Sequence, residues 1–202
     1  MSTDVLKLII DIESDWHVGS GEEAGAYADS LTLKSPSNLP YLPGKSLKGL
    51  LKTYLRLAMS NNWLSHDDFS LLFGTEGQEQ SSQGLLQVTN AELSSGEQVY
   101  LTSTPGATKC LYRVLQFTAI EHTSQVAKET SLRSMEVAVP MRLVAMISLN
   151  TSHPSFDSKH QASLLKIVGQ SAKLISNIGA KKYRGLGKAN VTYTLTTAEE
   201  CA

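Results

Sequence analysis

The sequence has few of the residues that build covalent or metal cross-links. It contains two cysteines, Cys110 and Cys201, and no C-x-x-C pair. Two distant cysteines form neither a disulfide framework nor the paired ligands of a zinc site. This scarcity excludes the disulfide-stabilised secreted class and predicts a soluble protein of a reducing compartment, the cytoplasm.

The sequence also lacks a long apolar run and a strong net charge. No stretch of apolar residues approaches the length that spans a bilayer, and no signal peptide is visible at the start. We therefore expect no membrane partner. With 18 Lys and Arg against 19 Asp and Glu, the formal net charge of −1 produces no overall basic field.

Charges of opposite sign are nevertheless separated along the chain. Acidic residues predominate between positions 11 and 29, whereas basic residues cluster between 45 and 56 and again between 166 and 188. A surface that binds a polyanion would therefore be a local stripe built from distant segments, and not a whole face of the protein.

Segment 43–58 predicts an amphipathic helix that begins after a Pro43-Gly44 turn. Apolar residues follow the i, i+3, i+4, i+7 spacing of one helix face. These residues are Leu47, Leu50, Leu51, Tyr54, Leu55 and Ala58. Gly44, Lys45 and Ser46 open the helix, where free backbone N–H groups and the helix dipole favour an anionic ligand such as phosphate.

A row of cations follows on the same helix. Lys48, Lys52 and Arg56 recur at intervals of four residues, away from the apolar face. Such a row is either a solvated surface, which is the commoner case, or an extension of the phosphate site along an RNA backbone. The proline–glycine turn and Ser46 immediately upstream favour the second interpretation.

A second helix is predicted over 160–178, and it leads into a basic, glycine-rich loop at 179–187. The loop carries Lys181, Lys182, Tyr183 and Arg184. Cations combined with an aromatic ring suit contact with nucleic acid, because the ring stacks on a base. The alternative is a tight helix-to-strand connection whose glycines only supply positive φ angles.

The order of the predicted elements favours an α+β fold. Strands are predicted at 5–12, 84–88, 98–102, 141–149 and 190–195, and a helical turn at 69–73. With the two long helices, this order suggests a ferredoxin-like (RRM-like) antiparallel sheet with both helices on one face. Residues 104–140 are weakly patterned and are predicted to form a projecting hairpin or loop outside the core of a single domain, 1–202.

Several short motifs occur in a recognisable order. They are His17-Val18-Gly19, Gly25–Asp29, Pro40–Gly49, Leu72-Phe73-Gly74, Leu132–Val137 and Arg184–Gly187. None is specific alone, but the ordered set resembles the RAMP superfamily of CRISPR systems over nearly the whole chain. It is most similar to the repeating backbone subunit of type III effector complexes.

The resemblance implies a subunit that binds guide RNA and cleaves the complementary target RNA in antiviral defence. Its partners would be guide (CRISPR) RNA, target RNA, other copies of itself and further effector subunits. Residues 104–140 would be the thumb, a projecting hairpin that interrupts the guide–target duplex. Within it the cation Arg133 is followed two residues later by Met135. A cation beside a flexible apolar side chain suits displacement of a base pair.

The resemblance also assigns Asp29 as the catalytic carboxylate, with Mg²⁺ or another divalent cation required for cleavage through a 2′-hydroxyl. Asp29 would either activate that hydroxyl or hold the ion. One carboxylate does not make a preformed metal site. A loop carboxylate that binds no ligand is simply exposed to solvent. The residues alone leave this alternative for Asp29 open.

His17 and Gly19 match the family's His-x-Gly and are expected to help hold guide RNA. The alternative for His17 is a structural hydrogen bond at a strand end. Two further functions stay open at this point: a catalytically silent guide-binding subunit of the same kind of complex, and a guide-processing endoribonuclease. A generic phosphate-ligand protein is disfavoured, because the chain has no P-loop or dinucleotide fingerprint.

Overall fold

The chain forms a four-stranded antiparallel sheet and a separate two-stranded hairpin. The computed structural model describes residues 4–25, 27–75, 83–121, 123, 125–128 and 131–197. The strands are β1 (Asp4–Ile12), β2 (Leu86–Val88), β3 (Tyr112–Phe117), β4 (Arg133–Ala138), β5 (Met141–Leu149) and β6 (Ala189–Thr197). The helices are α1 (Gly44–Ser60), α2 (His66–Phe73), α3 (Ser95–Ser103) and α4 (Ser158–Ala172).

The large sheet has the strand order β2-β5-β1-β6. Its strands alternate with α1 and α4 along the chain, so the arrangement is the split β-α-β pair of the ferredoxin-like fold. The α+β class predicted from the sequence is confirmed. No helix within the described ranges is long and apolar enough to cross a membrane.

The core lies between the large sheet and its two long helices. In β1 every second side chain is buried, as the two-residue period of a strand requires when one face is covered. Leu8 and Ile10 are fully buried, and Ile10 pairs with Leu143 of β5. Leu51 of α1 and Val168 of α4 belong to the same cluster. Full burial stabilises each such side chain by about 1.5–3 kcal/mol.

One predicted strand is wrong. Residues 98–102, with the β-prone Val99 and Tyr100, lie within α3. The Ser94 hydroxyl accepts a hydrogen bond from the Glu97 N–H, and the Glu97 carboxylate accepts one from the Ser94 N–H, so a capping box fixes the helix start. This local interaction outweighs strand propensity. Two predicted boundaries also shift: α2 begins at His66, and α4 ends at Ala172.

The insertion 104–140 contains the hairpin of β3 and β4, and its residues 122, 124, 129 and 130 lie outside the described part. Its returning end is not peripheral, as the sequence suggested. Val137 and Ala138 are fully buried, and Ala138 exchanges two backbone hydrogen bonds with Trp16 at 3.0 and 2.8 Å. The expectation that the whole insertion lies outside the core is therefore wrong at this end.

The glycine-rich loop, residues 179–187, forms backbone hydrogen bonds with the segment that follows β1. The Gly187 N–H donates to the Asp15 carbonyl at 2.7 Å, and the Ala180 N–H donates to the His17 carbonyl at 2.8 Å. Gly187 has φ +70°, and a Cβ there would overlap the carbonyl oxygen of Ile178. Only glycine allows this close backbone approach.

We predict that Gly187→Ala destabilises the protein by more than about 3 kcal/mol, since it combines an unfavourable φ with a backbone overlap. Gly185→Ala is the matched control. Gly185 also has a positive φ, +82°, but no atom of the described residues lies within 4 Å of the point that a Cβ would occupy. The control should cost only about 1–2 kcal/mol. Urea unfolding of both variants measures the difference, and equal losses would contradict the overlap argument.

Candidate nucleic-acid interface

Asp29 lies on an exposed loop, but the hairpin fixes its position. Its backbone N–H donates to the Ser134 carbonyl at 3.0 Å. Its carboxylate Oδ2 accepts hydrogen bonds from the Ser134 N–H at 2.6 Å and the Ser134 hydroxyl at 3.1 Å. The next residue, Ser30, bridges Met135 in parallel orientation. The loop therefore runs along β4, and the candidate catalytic carboxylate is held beside the first residues of that strand.

The same contacts set the charge of this carboxyl group. The hydrogen bond from the Ser134 N–H lowers the pKa of Asp29, and the Ser134 hydroxyl and the positive charge of Arg133 act in the same direction. Asp29 is therefore a carboxylate anion at neutral pH. An anion with a lowered pKa is a weak proton acceptor and a good electrostatic partner for a cation.

A cavity of about 960 Å³ opens beside Asp29, between its loop, the hairpin and the glycine-rich loop. The charged residues that line it are Lys128, Arg133, Lys181, Arg184, Glu23 and Asp29. Cations thus outnumber carboxylates, and Phe117 and Met135 add apolar surface. The structure brings Asp29, Arg133, Lys181 and Arg184 to one site, although they come from three distant parts of the chain.

The glycine-rich loop forms a ridge between this cavity and a second one. Lys181 and Arg184 also line a cavity of about 650 Å³ between the loop and α1. The ring of Tyr183 is 91% exposed, and the Lys182 Nζ lies 5.0 Å from its centroid. An exposed ring flanked by cations is available to stack on a base. The predicted residues 181–184 are therefore all presented at the surface.

A buried carboxylate that the sequence did not single out lies behind Asp29. Glu136 is 2% exposed. Its Oε1 accepts a hydrogen bond from the Lys34 Nζ at 2.8 Å, and its Oε2 accepts one from the Thr32 N–H at 3.1 Å. The Tyr27 hydroxyl donates to Oε1 at 3.3 Å, and burial together with the negative charge of Glu136 raises the pKa of Tyr27.

His17 is part of the same buried network. It is 3% exposed, and its Nδ1 donates to the Glu136 carbonyl at 2.7 Å. Its Nε2 lies 3.2 Å from the Ser30 hydroxyl. Both ring nitrogens are thus engaged within the protein, which favours the structural alternative for this residue. Gly19 pairs with Thr32 directly behind the ring. Burial of His17 does not favour its contact with guide RNA, whereas Gly19 is exposed, and both contacts stay predictions.

The start of α1 differs in part from the predicted phosphate site. The N–H of Gly44 is not available, because it donates to the Asn90 side-chain oxygen at 3.0 Å. A Cβ at Gly44 would overlap the Val88 carbonyl, so this glycine permits close packing. Lys45 and Ser46 are exposed, and α1 has no side-chain cap and no acidic residue in its first turn. These two residues remain candidates for anion contact.

The cationic row of α1 faces β2 and α2. The Lys48 Nζ donates to the Leu86 carbonyl at 2.6 Å, and burial and the charge of Lys52 lower the pKa of Lys48. Lys52 is partly buried. The Arg56 guanidinium lies over the Phe69 ring of α2, 5.9 Å from its centroid. The first and last members of the row thus contact the protein.

The row does not continue the surface of the glycine-rich loop. The α1 residues that face that loop are Leu50, Thr53 and Tyr54. At about 100° per residue, they lie on the flank opposite the row, with the buried Leu51 on the face between the two flanks. The two basic segments therefore form separate surfaces, and RNA contact by Lys48, Lys52 and Arg56 stays a prediction.

The described residues contain no group of three or more His, Cys, Asp or Glu side chains arranged to hold a metal ion. Within the same residues, the hydrogen bonds to the Asp29 carboxylate involve Oδ2 and not Oδ1, and Asp29 lines the cavity. One carboxylate oxygen fits a cation such as Mg²⁺, which keeps most of its water or phosphate ligands. The divalent cation stays a prediction.

The chain belongs to the RAMP superfamily, whose family model matches residues 9–190. The family expected from the motifs is thereby confirmed. The fold is similar to a chain of Type III-B Cmr-beta bound to cognate target RNA, determined by cryo-EM, with a TM-score of 0.64 and 11% identity over 94% of this chain and 96% of that chain.

A second cryo-EM structure, of Type III-B Cmr-beta in the apo state, contains a chain with a TM-score of 0.66 and 13% identity, over 94% of this chain and 97% of that chain. At such identities the likeness establishes the shared fold. No curated protein matches the sequence.

We predict that Ser134→Ala raises the pKa of Asp29 towards its ordinary value, because it removes the hydroxyl donor but keeps the stronger backbone donor. Carboxyl NMR chemical shifts followed through an acid titration measure this change. Ser131→Ala, in the same cavity lining, is the control and should leave the titration of Asp29 unchanged. An unchanged Asp29 titration in Ser134→Ala would mean that the hydroxyl contact does not persist in solution.

Proposed function

We propose that this protein is a subunit of a type III CRISPR ribonucleoprotein that binds guide RNA and cleaves the complementary target RNA at Asp29. Its partners would be guide RNA, target RNA, other copies of itself and further effector subunits. Membership of the RAMP superfamily supports the class of complex. A similar chain of Type III-B Cmr-beta, in a structure bound to cognate target RNA, supports the RNA partner.

The observation that carries the proposal is the position of Asp29 beside a cationic cavity. Arg133, Lys181 and Arg184 converge on this cavity from the hairpin and the glycine-rich loop. Cations gathered around one cavity can bind a phosphate backbone without reading its sequence. The sequence of the target would then be read by base pairing with the guide, and the protein would recognise the backbone and the shape of the duplex.

The hairpin gives this cavity a second property. Met135 and Phe117 place flexible and aromatic apolar surface next to Arg133. Apolar side chains beside a cation suit the unstacking of one base step while the adjacent phosphate is held. A nucleotide displaced in this way would present its 2′-hydroxyl and the scissile phosphate near Asp29, which is fixed to the same strand through Ser134.

Asp29 would act by its charge in this arrangement. Its lowered pKa makes it a poor general base at neutral pH, so holding a cation at the distorted nucleotide is the role that its environment favours. A bound divalent cation would supply charge neutralisation at the scissile phosphate and a lower pKa for a ligated hydroxyl. Ser134 keeps the carboxylate in place for this role, and Arg133 adds a second positive charge beside it.

A catalytically silent subunit is the second candidate, and one observation favours it. The Asp29 carboxylate and amide both bond to Ser134, so Asp29 also connects the loop to the hairpin. This structural role by itself accounts for an aspartate at position 29, without a role in catalysis. Guide processing is less well supported, because no histidine among the described residues lines the cavity next to Asp29.

The RNA partner can be tested directly. We expect the chain, tagged and purified from its host, to bring with it RNA of uniform guide length and the other subunits of the complex. Purification of the chain without RNA from a host that transcribes its guides would contradict the proposal.

We predict that Asp29→Asn lowers the rate of target cleavage by at least about 100-fold in the assembled complex, since it removes the charge but keeps the size of the side chain. RNA affinity should stay the same or rise slightly. Cleavage of a labelled target and filter binding measure the two effects separately.

Glu23→Gln is the matched control for this experiment, because it makes the same charge change in the lining of the same cavity. It should cleave at the normal rate. Cleavage by Asp29→Asn at the rate of the unmodified protein would assign the chain to the silent class.

We predict that the double substitution Lys181→Gln with Arg184→Gln weakens binding to RNA of any sequence. Each lost phosphate contact reduces the slope of log K against log salt by about 0.7, so the pair should reduce it by about 1.4. Lys52→Gln with Arg56→Gln removes the same charge from the opposite flank of α1 and should leave the slope nearly unchanged. A larger effect of the second pair would show that the cationic row of α1 is the principal RNA contact.

A further inference from the structure

The two edges of the large sheet differ in how the chain covers them. At the β2 side, the strand continues into residues 89–92, whose outer edge pairs with the segment before α1. Leu42 and Ala91 exchange two backbone hydrogen bonds there, at 3.0 and 2.8 Å. The opposite edge is β6, a strand of nine residues that pairs with β1 on one side only. An unpaired strand edge is a template for another strand.

The hydrogen bonds at the start of β6 show which of its backbone groups face outwards. The Glu13 N–H donates to the Lys188 carbonyl at 2.8 Å, so residue 188 directs its backbone towards β1. The Ala189 N–H donates to the Ser176 carbonyl at 2.9 Å, on the other side. Because direction alternates along a strand, the N–H and C=O groups of Val191, Tyr193 and Leu195 face away from β1.

The chain covers only the first part of this edge. Residues 176–178 pair with 187–189 through the bonds of Ile178 to Gly187 and Ala189 to Ser176, at 2.8 and 2.9 Å. Beyond Ala189, no hydrogen bond from elsewhere in the described part of the chain reaches the outward groups of Val191, Tyr193 or Leu195. These groups form an open edge, which we call the β6 edge.

The composition of β6 does not protect this edge. From Asn190 to Thr197 the strand has no charged residue, no proline and no glycine, and it is rich in threonine. Charges, prolines and bulges are the usual means by which edge strands avoid pairing. Leu195 is 39% exposed on the helix side of the sheet, so an apolar side chain stands at the open end of the edge.

We propose that the β6 edge binds the β6 edge of a second copy of this chain, antiparallel, about a two-fold axis at Tyr193. Each outward-facing residue of one copy would then lie opposite an outward-facing residue of the other copy. Val191 lies opposite Leu195 of the second copy, Tyr193 lies opposite its equivalent, and about six backbone hydrogen bonds form. The large sheet continues through both copies, and Leu195 is covered.

Closure is the reason to choose a second copy as the occupant. The β2 edge is already paired with residues near Leu42, so among the described residues the open edge of the large sheet is β6. Pairing between the large sheets of two copies is therefore restricted to β6 with β6, which is self-complementary and stops at two chains. A head-to-tail chain of continuous sheets cannot form. The inference concerns the RNA-free protein and does not rest on the function proposed above.

The charge of Lys173, beside the β6 edge, makes the salt dependence of the dimer a measurable property. The Lys173 Nζ lies over the Tyr193 ring, 5.2 Å from its centroid. A two-fold axis at Tyr193 would bring Lys173 of both copies into the same region. Salt screens this repulsion, so the dimer should become tighter as salt concentration rises. Association through a shared RNA would weaken under the same conditions.

Sedimentation equilibrium of the full-length, RNA-free chain up to roughly 200 µM tests the proposal, since this range covers micromolar dissociation constants. We expect a reversible dimer that tightens with salt. Leu195→Glu places a charge in the paired edge and should raise Kd at least about tenfold. Thr194→Glu is the matched control: it adds the same charge one residue away, on the other face of the sheet, and should leave Kd within about twofold.

Amide hydrogen exchange gives a second measurement on the unmodified chain. The amides of Val191, Tyr193 and Leu195 should exchange fast in dilute solution and become protected as the dimer forms. A monomer throughout this concentration range would overturn the proposal. So would a dimer that Leu195→Glu leaves intact, that Thr194→Glu disrupts equally, or that forms without protection of these three amides.

Discussion

The buried carboxylate of Glu136 connects the parts of the candidate site to one another. It lies on β4 at the base of the hairpin, and its side chain bonds to Lys34 and to the backbone of Thr32. Its own carbonyl accepts a hydrogen bond from His17, in the segment that follows β1. A buried carboxylate without partners is costly, and removing one partner from a buried pair typically costs about 3–5 kcal/mol. Glu136 therefore holds the hairpin, the segment that carries Asp29 and the segment after β1 together as one unit.

Much of the fold could be predicted because its signals are local. The apolar spacing of α1 and the alternation in β1 and β5 each lie within one element, and the structure confirms all three. The helix at 95–103 was missed although its signal was also local: Ser94 and Glu97 have the spacing of a capping box. Strand propensity at Val99 favours the opposite assignment, but the capping box is specific to a helix start and decides the structure.

The candidate site was predictable only in part, because its geometry depends on long-range contacts. The motifs identified Asp29, Arg133 and Arg184 as separate candidates, and nothing in their spacing states that one cavity joins them. Ser134 and Glu136 lie in the motif Leu132–Val137, but the sequence predicts no role for either, since a serine and a glutamate in a weakly patterned segment are ordinary surface residues. Conversely, the regular spacing of Lys48 and Arg56 suggested a track, but spacing does not reveal what each side chain contacts.

The central position of β1 has a consequence for how the protein is made. β1 is synthesised well before its two neighbours in the sheet, β5 and β6, and Ile12 pairs with Met141 and Ala189. At ribosomal speeds of about 5–20 residues per second, the first strand waits roughly 10 seconds for a neighbour. During translation its apolar face is an unpaired segment that a chaperone can bind. The sheet therefore forms only after β5 and β6 are made, and its rate of formation is limited by contacts between segments far apart in sequence.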